Sequence, residues 1–80
     1  MTKAAEIAKF LNLHFAERRS EYRSIAEAKA RELKVGIYWL GTASNYDGLP
    51  SATIHQTDRC GKWTRKLGGV TLGHDDIWRA

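Results

Sequence analysis

Apolar residues recur every three or four positions through the first third of the chain, and in alternation or unbroken runs after it. Ala4, Ile7, Ala8, Leu11 and Phe15 share one stripe at a spacing of 3.6 residues. That stripe predicts a helix from about Lys3 to Arg18 with Thr2 as N-cap. A competing reading takes Leu11, Leu13 and Phe15 as alternating strand residues, but the run is long and has one β-branched residue, Ile7. Phe10 and Leu13 fall off the stripe. They face either a second packing surface or a partner.

A second stripe, Ile25, Ala26, Ala30 and Leu33, predicts another helix. Ser24-Ile25-Ala26-Glu27 has the form of a capping box, in which the Ser24 hydroxyl and Glu27 carboxylate satisfy each other's backbone amides. The helix is therefore expected from Ser24 to Lys34.

All seven glycines and the only proline follow, beginning at Gly36. Val35 to Leu40 reads as a central strand covered on both sides, with Tyr38 and Trp39 pointing to opposite faces. Ser44-Asn45-Tyr46-Asp47-Gly48 is turn chemistry. Pro50 lacks an N–H, so the next strand is expected after it, at Ala52 to Thr57. Asp58-Arg59-Cys60-Gly61 reads as a turn into a strand from Lys62 to Leu67. Gly68-Gly69 suits a two-residue hairpin into a last short strand, Val70 to Leu72. The expected fold is α+β, one domain over residues 1–80: two N-terminal helices followed by a three- to four-stranded antiparallel meander. Strict alternation sends Trp63, Arg65 and Leu67 to one face of the third strand. Lys62, Thr64 and Lys66 go to the other. Trp63 and Leu67 are expected in the core.

Composition narrows the class. Of 80 residues, 42% are apolar, too many for a disordered chain. A chain this short buries only about 60% of its unfolded surface, and one cysteine cannot supply an internal disulfide. A lone thiol fits a reducing compartment, and the N-terminal residues lack the apolar core of a signal peptide. The longest wholly apolar stretch, Ile37 to Leu40, is far below the ~20 residues of a membrane span. A cytoplasmic protein without a membrane partner is expected.

Charge changes the picture more. The net charge is +4. Arg59, Lys62, Arg65 and Lys66 cluster around Trp63 with no acid between residues 59 and 66. Cations beside a flat aromatic suit phosphates and bases. Arg18, Arg19 and Arg23 form a second basic cluster. The same Trp and Arg chemistry also suits a protein interface.

Catalytic chemistry has little to stand on. A Cys60 nucleophile would need His55 or His74 as base, and no nucleophile signature surrounds it. His55, Cys60 and His74 lack the paired spacing of a zinc site. Asp75-Asp76 reads as a cap and first-turn charge. Gly68-Gly69 has no Lys-Ser or Lys-Thr after it, so it is no phosphate loop. The expectation is a non-enzymatic binder without a cofactor. Its favoured partner is DNA or RNA, met by Arg59, Lys62, Trp63, Arg65 and Lys66, with Arg18, Arg19 and Arg23 in support. The alternative is a small inhibitor or adaptor, of phage or mobile-element type, that docks on a host protein complex through Phe10, Leu13 and Trp78.

Overall fold

A computed structural model describes residues 2–40 and 49–80. Helix α1 spans Lys3–His14 and α2 spans Tyr22–Leu33, joined through a 3-10 turn at Arg19–Glu21. Four strands follow: β1 (Val35–Leu40), β2 (Ser51–Thr57), β3 (Trp63–Leu72) and β4 (Trp78–Arg79). They form one antiparallel sheet in the order β1-β2-β3-β4. The two helices followed by a meander are as expected. The turn expected at Ser44 to Gly48 lies outside the described residues.

The Thr2 hydroxyl accepts the Ala5 amide at 3.1 Å and caps α1. The helix ends at His14, four residues before the expected Arg18, although hydrogen-bonded turns carry the chain on to Arg18. Helix α2 begins at Tyr22, two residues before the capping box, which stands inside the helix and caps nothing. The reason is packing. Starting at Tyr22 places its ring against Trp39 and Trp78, with centroids 5.3 and 5.6 Å away. Lys34 closes α2 in the left-handed region at φ 59°, a position that glycine fills more often.

The helices cover one face of the sheet. Ala4, Ile7, Ala8 and Leu11 of α1 meet Ile25, Ala26 and Ala30 of α2 above Val35, Ala52, Ile54, Val70, Leu72 and Trp78. The alanines let the helices approach closely. Full burial of Ile7, Leu11, Ile54 and Val70 contributes about 1.5–3 kcal/mol each. Phe10, Tyr22, Leu33, Ile37, Trp39 and Leu67 pack around this core, half-buried. The off-stripe Phe10 is thus absorbed in part by the fold, while Leu13 stays 69% exposed.

Three expectations about the sheet fail. β1, expected as a central strand, lies at the edge of the sheet, because the chain adds each later strand on the β2 side. Gly68-Gly69 is not a hairpin. β3 runs straight through it; a Cβ on Gly68 would press on the Ala4 methyl at 3.2 Å, so Gly68 marks where α1 lies close to the strand, while one on Gly69 would meet the Ala52 carbonyl oxygen of β2 at 3.0 Å. The alternation along β3 is also broken. Ile54 pairs with Gly68 but His55 with Lys66; Gln56 pairs with Arg65 but Thr57 with Trp63. Leu67 and Thr64 are the extra residues of two bulges.

Trp78 is the corner of the structure. It is 2% exposed and packs on Phe15, Tyr22 and Trp39. Its backbone is held from the helix side: the Trp78 amide donates to Asn12 Oδ1 at 2.7 Å, and Asn12 Nδ2 donates to the Trp78 carbonyl at 3.0 Å. The side-chain amide of α1 thus stands in for a fifth strand at the edge of the sheet. Trp78 as a projecting partner anchor is therefore corrected. Its ring area is spent inside the fold.

Candidate functional site

The face of the sheet turned away from the helices carries Gly36 and Tyr38 from β1, Ser51, Thr53, His55 and Thr57 from β2, and Trp63, Lys66 and Thr71 from β3. Their cross-strand partners follow that register: Gly36 with His55, Tyr38 with Thr53, Ser51 with Thr71, His55 with Lys66 and Thr57 with Trp63. None of these side chains is buried. β1, β2 and β3 contain no aspartate or glutamate.

Trp63 dominates this surface. The bulges turn it away from the core, where strict alternation had placed it, and it is 43% exposed. Its indole lies nearly parallel to the His55 imidazole, with centroids 4.7 Å apart and 10° between planes. Tyr38 meets it edge-on at 6.2 Å and 84°. The indole reaches across β2 to β1, where Gly36 leaves it room. A Cβ on Gly36 would overlap the pyrrole edge of the ring, at Nε1, Cε2 and Cδ1. His55 is held in turn by Thr53, with Nε2 2.7 Å from the Thr53 hydroxyl. Tyr38 is 56% exposed, so β1 is covered on its helix side only and not on both.

The turn between β2 and β3 is built by Asp58. Its carboxylate accepts the amides of Cys60 and Lys62 at 2.8 and 2.9 Å, and its own amide donates to the Lys62 carbonyl. Gly61 takes φ 81°, which a side chain would resist. This Asx-type turn presents Arg59, Cys60 and Lys62 to solvent. Among the described residues, no ion pair involves Arg59, Lys62, Arg65 or Lys66. Lys66 lies on the aromatic face through its pairing with His55. Arg65, expected beside Trp63, lies on the opposite face. It donates from Nε to Gln56 Oε1 at 3.2 Å, near Lys3 and Leu67.

The second basic cluster is engaged within the fold. Arg18 pairs with Glu21, and Arg19 reaches Asp76 at 3.0 Å while lying 5.1 Å over the Phe15 ring. Arg23 sits over Trp39 and Tyr22, at 5.6 and 5.9 Å from the ring centres. Arg19 thereby ties the 3-10 turn to the loop before β4. From β4, Arg79 grips Asp75 of that loop with both amino groups, at 2.6 and 3.0 Å.

This grip makes a prediction. The hydrogen bonds from Arg79, helped by the Ile77 amide, hold the Asp75 carboxyl at about 2, below its usual 3.8. A lowered carboxyl stabilises the fold above the ordinary carboxylate range, and the contribution is lost as pH falls toward 2. Replacing Arg79 by alanine should bring the Asp75 titration most of the way back to 3.8, followed by carboxyl NMR. An unmoved titration would assign the shift to the loop backbone instead.

Among the described residues, no three His, Cys, Asp or Glu side chains gather where they could hold a metal ion. Cys60 is exposed on the turn, and His55 is occupied by Trp63 and Thr53. No helix of the described residues is long and apolar enough to cross a membrane.

Sequence reading missed Tyr38, His55 and Thr53 as neighbours of Trp63. The cue was Gly36. A glycine inside an apolar strand marks a place where another group comes close to the backbone. No protein-family model matches this chain, no curated protein is similar to it, and no solved structure is similar to it.

Proposed function

We propose that this chain works by binding, without catalysis, and that its ligand is nucleic acid held on the helix-free face of the sheet and the adjoining turn. The supporting observation is the charge layout. Three strands without an acid carry Lys66 on the aromatic face, and the turn adds Arg59 and Lys62, none of them in an ion pair among the described residues. Cations whose charge is not cancelled within the fold attract phosphates at long range. Arg18 and Arg19 are weaker candidates because Glu21 and Asp76 already meet them. The lone exposed thiol fits a reducing cytoplasm.

The test is a polarisation titration with labelled oligonucleotides at two salt concentrations. Affinity should fall steeply with salt, with a log–log slope of about 0.7–0.9 per phosphate contact. Lys66→Glu should weaken binding severalfold, whereas Arg65→Glu, on the opposite face, should weaken it much less. No detectable binding at low salt removes the proposal. The alternative, a small inhibitor or adaptor docking on a protein complex, is supported by Leu13, whose exposed side chain stands beside half-buried Phe10.

A further inference from the structure

We infer that the ligand is single-stranded, with unpaired bases stacking on Trp63 and Tyr38 while the backbone follows Lys66 and the turn at Arg59 and Lys62; this rests on the nucleic-acid reading above. A surface that only gathered phosphates would have no use for exposed rings. Here an indole and a phenol stand 43% and 56% exposed on the one sheet face that no helix covers. A duplex keeps the faces of its bases inside its own stack and offers edges and phosphates. An unpaired base offers a flat π-face, and stacking on an aromatic side chain strengthens binding roughly five- to hundredfold per base.

The rings are also held in place before any ligand arrives. His55 stacks on the indole, Thr53 bonds His55, and Gly36 leaves space for the pyrrole edge. Tyr38 at 84° to the indole limits its swing. Rings fixed this way lose little freedom on binding. The charge is complementary. Lys66 is the cross-strand neighbour of His55, so a cation lies beside the rings, with no acid on β1, β2 or β3. The carboxylate of Asp58, the nearest acid in sequence, is turned into its own loop.

The experiment compares a thymidine oligomer, a uridine oligomer and a duplex of equal length, each roughly 12 nucleotides, within the footprint usual for such surfaces. Polarisation at low salt should show single strands binding at least tenfold tighter than duplex. Trp63→Ala should weaken single-strand binding about tenfold and leave duplex binding unchanged. Trp63→Phe should keep most of the affinity while removing the quenching of indole fluorescence that accompanies stacking. Tyr38→Ala supplies a second loss if Trp63→Ala disturbs folding. Tighter binding of either oligomer supports the inference and tells DNA from RNA. Equal affinity for duplex and single strands, with Trp63→Ala silent, overturns the inference and leaves phosphate binding standing. Absence of binding to all three overturns both.

Discussion

Replacing Trp78 by alanine should cost about 3–5 kcal/mol of stability, the usual loss for a large aromatic removed from a core. A chain of 80 residues has roughly 4–12 kcal/mol in total, so the variant should be largely unfolded or close to it. The reason is position as much as size. Trp78 touches Phe15 beyond the end of α1, Tyr22 at the start of α2 and Trp39 of β1, so its ring joins both helices to the far side of the sheet. Trp78→Phe should retain much of the packing and lose less. Urea denaturation of the three proteins measures this. A loss under about 1 kcal/mol in Trp78→Ala would mean that the last strand is not integrated with the core.

The second large effect is expected at Asn12. Alanine there leaves the Trp78 amide and carbonyl without their partners at the edge of the sheet. Each half-buried group left unpaired costs about 1 kcal/mol, near the lower end of the usual range because water can reach part of the site. A total near 2 kcal/mol should lower the melting temperature by roughly 10 °C in a chain of this size. Asn12→Asp separates the two bonds. A carboxylate still accepts from the Trp78 amide but cannot donate to its carbonyl, so this variant should fall between the wild type and Asn12→Ala. Equal melting of all three would show that solvent replaces the side chain at no cost.

The helices were legible because their stripes repeat for three turns and concern one packing surface. Ile7, Leu11, Ile25 and Ala30 are buried as the periodicity required. Boundaries were less legible. Ser24 and Glu27 form a good local cap, yet burial of the Tyr22 ring prevails over a bond that contributes about 1 kcal/mol. The strand faces were the least legible. A single bulge reverses the sense of every later side chain, and β3 has two. Counting by twos from Leu67 therefore placed Trp63 in the core on the same face as Arg65; the extra residue at Thr64 sends Trp63 to the open face and leaves Arg65 on the helix side. Of the basic residues, sequence located the turn at Arg59 and Lys62 but could not see that Asp76 and Glu21 meet Arg19 and Arg18. Those pairings, one of them spanning more than fifty residues, exist only once the chain is folded.

The division of the sheet into a helix-covered side and an open side has an evolutionary consequence. Folding information is written almost entirely on one side, in Ala52, Ile54, Val70 and Leu72. Thr53, His55, Lys66 and Thr71 on the other can be exchanged by mutation without disturbing the packed layer. The open side is free to drift or be reselected while the scaffold persists. Gly36 is the exception: any side chain there would evict the indole, so this one backbone position ties the scaffold to the open side.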